Sequence, residues 1–288
     1  MAGNLWSKAA VWAAMIKIEH SVFALPFAYM GAFWAARGWP GWDTFLLLTL
    51  AMVAVRSFAM TVNRVADLKY DRENPRTSTR ALVTGEISVK EACLFILICA
   101  LIFVAACAFL NSLCFYLSFA ALFWSAVYSF SKRFTSFCHF HLGSVLGLAP
   151  IAGWIAYEPA FAPAPFFLFL GVSFWAAGFD ILYSGQDISF DQEHSLHSIP
   201  SRYGLDTAFA LAGFSHVNAS LFFFISGLAA GAGAGYFLFW AMVSVLLAAE
   251  HKIISPGNMQ KINVSFFVLN GAAAILLFAG VLWDTLAG

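Results

Sequence analysis

Apolar runs of about twenty residues, following one another from residue 9 to residue 286, decide what this chain can fold into. As a helix, a run of that length crosses a hydrocarbon core of ~30 Å, and in lipid every backbone polar group has to be satisfied within the segment itself. Nine runs are read, at about 9–36, 42–66, 90–110, 112–131, 137–157, 164–185, 207–229, 233–254 and 263–286. Asn111-Ser112 supplies a turn between the third and fourth, and the glycine-rich stretch 227–235 another between the seventh and eighth. Only 10% of the residues are charged and 61% are hydrophobic, where a soluble domain carries about a quarter charged. The expectation is an all-α polytopic membrane protein. It forms one integral-membrane domain over residues 1–288, with motif-bearing halves at about 9–131 and 137–286. Nine spans bundle around a central cavity that opens toward the cytoplasm. The N-terminus shows no signal-peptide cleavage pattern.

The net charge is zero, so the distribution of charge carries the information. With the N-terminus inside, Lys8, Lys69, Arg72, Arg76, Arg80, Lys90, Lys132, Arg133, Arg202, Lys252 and Lys261 fall on or near the cytoplasmic side, against Arg37 alone outside. That bias orients the bundle and sends its long polar loops to the cytoplasm. An inner, cytoplasmic membrane of a bacterium is the expected location, with no nucleic-acid partner. The five cysteines lie in or beside apolar runs without a CxxC pair, and read as small packing residues. Lys17, Glu19 and His20 fall within the first run, as a structural ion pair or a substrate contact.

Two stretches break the apolar pattern with acids. The first is Asn63-Arg64-Val65-Ala66-Asp67-Leu68-Lys69-Tyr70-Asp71, followed by a loop holding Arg72, Asn74, Pro75, Arg76, Thr79 and Arg80. Asn63, Asp67 and Asp71 are four apart and share a helix face, and Arg56 lies close to the same stripe. The second, Asp180 to Asp191, repeats helical spacing through Asp180, Tyr183, Asp187 and Asp191. One offset relates Tyr183 to Asn63, Asp187 to Asp67 and Asp191 to Asp71, which makes an internal duplication a fair expectation. The two stretches end the second and sixth runs, and so emerge on one membrane face.

Carboxylates that face one another need cations between them. Magnesium keeps its waters and takes one or two carboxylates plus phosphate oxygens, so two acidic helix ends could hold Mg²⁺ around one diphosphate. Arg72, Arg76, Arg80, Lys132, Arg133 and Arg202 offer further positive charge to phosphates. A diphosphate on a long apolar chain would put its head at these loops and its tail between helices. A solvated surface suffices for Lys8, Lys90, Lys252 and Lys261, but not for two acidic motifs at the ends of spans. Tyr128 and Lys132 are four apart at the end of the fourth run, while His139 and His141 flank the start of the next and read as interfacial. A transporter would carry its polar breaks at the midplane; here they cluster at one interface.

The first stretch, with Asn74-Pro75-Arg76-Thr77-Ser78-Thr79-Arg80 after it, resembles the first signature of the UbiA superfamily of membrane prenyltransferases. The second stretch, Asp180-x-x-Tyr183-x-x-Gln186-Asp187-x-x-x-Asp191, resembles the second signature, and Tyr128-Ser129-Phe130-Ser131-Lys132-Arg133 is similar to the tyrosine–basic segment between them. The resemblance implies Mg²⁺-dependent transfer of a polyprenyl group from its diphosphate to a small aromatic acceptor in quinone biosynthesis. It implies that Asp67, Asp71, Asp187 and Asp191 hold the metal and diphosphate, with Asn63 and Arg56 beside them. Arg72, Arg76, Lys132 and Arg133 would bind phosphate oxygens, and Tyr128 and Tyr183 would contact substrate. Asp180, deeper on the acidic face, would orient or deprotonate the acceptor. Two departures bear on the substrate: many relatives carry Asn-Asp where this chain has Asn63-Arg64, and the segment after Asp191 lacks a glycine-lysine-serine ending. Ile18-Glu19-His20 with Ala24-Leu25-Pro26-Phe27 is similar to a 4-hydroxybenzoate-like subgroup, for which both 4-hydroxybenzoate and a dihydroxynaphthoate are acceptors to expect. Haem, chlorophyllide or glycerol-phosphate acceptors of sibling enzymes are the alternative.

Overall fold

The computed structural model describes residues 2–17, 21–256, 259, 262 and 265–287, and every regular element among them is a helix. Helix α1 (Ala2–Ile16) precedes α2 (Ser21–Ala36), α3 (Trp42–Ala66), the short α4 (Leu68–Glu73) and α5 (Ala81–Thr84), then α6 (Val89–Leu110) and α7 (Ser112–Ser131). The second half holds α8 (Cys138–Tyr157), α9 (Pro163–Ser184), a 3₁₀ turn Gly185–Asp187, α10 (Ile188–Glu193), α11 (Ile199–Ala230), α12 (Ala234–Ile253), a π turn Ser265–Leu269 and α13 (Asn270–Ala287). Among the described residues eight helices are long and apolar enough to span a bilayer, and Phe23–Ala36 is a shorter apolar one.

Two expected spans are corrected. The run at 9–36 divides, because α1 ends at Ile16 and Lys17 takes a left-handed φ of 49° that no helix continues. Lys17 lies over the Phe267 ring at 5.9 Å; Glu19 and His20 lie outside the described residues. The run at 207–229 belongs to a longer α11 bent at Gly204, whose φ of 82° only glycine takes without strain. By contrast Trp42–Ala66 spans the expected 42–66, and Asn111 ends α6 and begins α7 as its side chain accepts from the Cys114 N–H.

Lipid tails are as apolar as the helix surfaces, so the bundle coheres by close packing rather than by exclusion of water. Small residues permit it. A Cβ on Gly31 of α2 would collide with the Pro150 carbonyl of α8, and one on Gly153 of α8 would collide with the Ala28 carbonyl of α2. These reciprocal contacts draw the first half against the second. Helix α9 packs centrally between α8 and α11, with Trp175, Leu168 and Val172 fully buried. Trp175 donates from Nε1 to Asn270 Oδ1 at 2.7 Å, and Asn270 donates to Glu250 at 3.0 Å, so the indole N–H in the core is satisfied.

Gly153→Val should fold poorly, since both the backbone of α2 and the added side chain claim the same space. A loss of about 1–3 kcal/mol is expected, read as a lower unfolding temperature of the detergent-purified protein.

Candidate functional site

Each acidic stretch folds the same way. A long spanning helix ends ahead of an aspartate, at Ala66 directly before Asp67 and at Ser184 with a 3₁₀ turn running to Asp187, and that aspartate leads into a six-residue helix bearing the second acid in its first turn. The backbone of Asp67 (φ −92°, ψ 5°) nearly repeats that of Asp187 (φ −105°, ψ 10°). The helix therefore kinks at each motif, where continuous helical spacing was expected. The facing survives the kink, because Asp67 N–H still bonds the Asn63 carbonyl at 2.9 Å and Asp71 N–H the Asp67 carbonyl at 2.8 Å. Asn63 accordingly donates to Asp67 Oδ2 at 3.0 Å.

Across the cavity the acids meet basic groups one for one. Arg76 holds Asp187 with two bonds, Nε to Oδ1 at 2.9 Å and Nη2 to Oδ2 at 2.6 Å. Arg80 reaches both oxygens of Asp71 at 2.6 Å. Lys132 lies 2.7 Å from Asp191, whose other oxygen accepts from Ser198 Oγ at 2.8 Å. Arg133 is 3.6 Å from Asp67 and donates at 2.6 Å to Ala66 O, the last carbonyl of α3. The Arg76–Asp187 pair ties the two motifs together, with Asn74 donating to Asp187 at 3.4 Å. Burial, and then the neighbouring Asp71 carboxylate, raise the pKa of Asp67 above the usual carboxylate range.

These residues form the polar end of a cavity of about 390 Å³. Helix α3 contributes Arg56 and Asn63, the first motif Asp67, Asp71 and Arg76, and the end of α7 Tyr128, Lys132 and Arg133. Helix α9 and its extension contribute Asp180, Tyr183, Asp187 and Asp191. Below them the walls turn apolar, with Met52 and Val55 of α3, Phe103 of α6 and Leu146 and Ala149 of α8. Arg72 departs from expectation. It sits on the outer side of α4, exposed and away from the lining, because the turn after α4 brings Arg76 and Arg80 inward instead. Arg202 is likewise exposed.

His139 was read as interfacial, and the structure corrects that. It is 2% exposed, lines the cavity and bonds Asp180 Oδ2 from Nδ1 at 2.7 Å. Its Nε2 accepts from the Ile199 N–H at 3.2 Å, so the proton sits on Nδ1 and is donated to Asp180. No sequence spacing links His139, Asp180 and Ile199; the packing of α8, α9 and α11 does. His141 turns away to Ser131, 2.6 Å from its Oγ.

Ionisable groups gathered at the polar end of a chamber in an apolar helical bundle mark a functional site. The UbiA prenyltransferase family matches residues 24–278 of the chain. A 4-hydroxybenzoate octaprenyltransferase of Alkalilimnicola ehrlichii is 28% identical over 98% of this chain and 97% of its own, and that of Burkholderia multivorans 28% over 88% of each. A UbiA homolog from Aeropyrum pernix K1 superposes with a TM-score of 0.85 at 34% identity, covering 93% of this chain and 99% of that one. A UbiA homolog from Archaeoglobus fulgidus bound to GPP and Mg²⁺ shares the fold, with a TM-score of 0.67 at 22% identity over 94% and 99%. The chain belongs to the UbiA prenyltransferase family, and is an integral-membrane prenyltransferase.

Lys132→Met would leave the buried Asp191 carboxylate with Ser198 alone. Stability should fall by about 1–3 kcal/mol, and Asp191→Asn in the same chain should restore part of it; melting of the four proteins of this cycle is the measurement.

Proposed function

We propose that this enzyme transfers a polyprenyl group from its diphosphate to ring carbon of a small aromatic carboxylate, 4-hydroxybenzoate or a dihydroxynaphthoate. The observation that carries the reading is the single chamber joining two acid–base clusters to an apolar tunnel. The naming of several relatives as 4-hydroxybenzoate octaprenyltransferases supports the acceptor class. The whole chain, 1–288, acts as one domain in this reading, since both halves furnish the chamber. With the basic loops inside, the site faces the cytoplasm from a bacterial inner membrane.

The donor set fits Mg²⁺. Asp67, Asp71, Asp187 and Asp191 supply hard oxygens in two separated pairs, and among the described residues no three acidic, histidine or cysteine groups converge to cage an ion unaided. That suits a metal whose remaining ligands are water and phosphate oxygens. Mg²⁺ held by these four aspartates would neutralise charge on the departing diphosphate. Arg76, Lys132 and Arg133, which border the acids, reach the remaining phosphate oxygens. Asn63 orients Asp67, and Tyr183, beneath the Arg76 guanidinium at 5.7 Å, borders the reacting carbon. Arg56 and Tyr128 border the acceptor. The donor C–O bond breaks with its electron pair leaving on diphosphate, and the ring π pair forms the new C–C bond to the allylic carbon. The ring C–H then breaks, its electrons returning to the ring and its proton passing to Asp180. His139, fixed by Ile199, holds one oxygen of Asp180, which lines the cavity.

Membranes given Mg²⁺, labelled polyprenyl diphosphate and both acids should yield a prenylated aromatic lipid. Diphosphate turnover without such a product sinks the acceptor assignment. Asp67→Ala and Asp187→Ala should each abolish transfer while the protein still inserts; full activity in either removes that residue from the mechanism. His139→Leu should lower kcat about 10- to 100-fold, with His139→Asn, which keeps a donor near Asp180, recovering part. Because Asp67 has to be ionised to bind metal and its pKa is raised, the Mg²⁺ needed for half-maximal rate should climb on acidification. Over the range where Asp67 alone takes up a proton the climb is about tenfold per pH unit, which titrations at several pH values will read.

A further inference from the structure

Arg64 is not used by the mechanism above, and its surroundings are unlike those of the other basic residues. It is 6% exposed and lines the chamber on the last turn of α3. Arg76, Arg80 and Lys132 each lie 2.6 or 2.7 Å from a carboxylate, and Arg133 lies 3.6 Å from one. Arg64 has none within 4.0 Å among the described residues; its one hydrogen bond is a long one, 3.4 Å from Nη1 to the amide oxygen of Asn63. Helix termini compensate cations through their free carbonyls, but the last carbonyl of α3 is already taken by Arg133. A guanidinium kept from water without an anion is strongly disfavoured, and it remains charged at any pH a protein meets. The four motif aspartates each have a basic partner of their own. A ligand in the chamber can therefore give Arg64 the direct anionic partner that the described residues do not.

We propose that Arg64 binds an oxyanion of a substrate, the acceptor's carboxylate or the donor's terminal phosphate, and selects for that charge. The planar fork of a guanidinium matches either group with two parallel bonds. Position supports both: Arg64 shares the cavity wall with Tyr128 and with the Asp71–Arg80 pair. This inference rests on the aromatic-acceptor reading for its carboxylate arm alone.

The test is steady-state kinetics of the purified full chain in lipid nanodiscs, comparing wild type with Arg64→Gln. KM is measured for prenyl diphosphate, for each aromatic acid and for 4-hydroxybenzamide, which lacks the charge, together with inhibition by pyrophosphate. A carboxylate contact raises the acid's KM about 10- to 100-fold, erases discrimination between acid and amide, and leaves pyrophosphate inhibition alone. A phosphate contact instead raises the donor KM and the pyrophosphate inhibition constant by a similar factor. Unchanged constants for both substrates and for pyrophosphate overturn the proposal, whatever happens to stability. Should Arg64→Gln not accumulate, Arg64→Lys keeps the charge and loses the fork. A several-fold rise in one constant is then expected, and unchanged constants in the folded protein overturn it. If wild type prenylates neither acid, the aromatic reading fails while pyrophosphate inhibition still reports on Arg64.

Discussion

Charge compensation at the end of a low-dielectric bundle organises this protein. Four carboxylates stand at or near the boundary of spanning helices, where an unpaired charge is strongly disfavoured. Each has its own cation, and the cations come from elsewhere in the chain: Arg76 reaches Asp187, Lys132 reaches Asp191 and Arg133 reaches Asp67. The pairs thus do two things at once. They hold the loop after α3, the end of α7 and the extension of α9 together, and they gather both signs of charge around one chamber.

The helices supply what such a cluster requires, a rigid frame with little freedom in its backbone. Glycines on α2 and α8 let the two halves approach to backbone contact, and α9 runs through the middle of the bundle with a nearly fully buried inner face. The second motif therefore projects from the most enclosed helix. The first projects from α3, whose last turn Arg133 secures from the partner segment. Secured ends suit electrostatic stabilisation, because groups already oriented need no reorganisation when charge develops.

The chamber has a gradient of chemistry from mouth to depth. Paired acids and bases border the mouth, then Asp180 with His139, then Met52, Phe103 and Leu146. A molecule with a charged head and an apolar tail matches that order end to end. The prenyltransferase family membership gives the order its chemical sense.

Much of this was legible in the chain. The spans follow from length and hydropathy, since only a helix satisfies its own backbone in lipid; Trp42–Ala66 and the Asn111 turn emerged as read. Asp67, Asp71, Asp187 and Asp191 stand out in the sequence because acids at the ends of apolar runs are unfavourable unless paired, and each has a cation beside it. Tertiary structure decided the partnerships. Spacing alone gives Arg72 the same claim as Arg76, yet Arg72 is exposed on α4 while the turn after that helix carries Arg76 onto Asp187. His139 looked interfacial beside the start of a span until α9 and α11 closed over it with Asp180 and the Ile199 N–H. Local pattern determines which residues are polar within an apolar helix; which polar group answers which is a matter of long-range packing, and no periodicity encodes it.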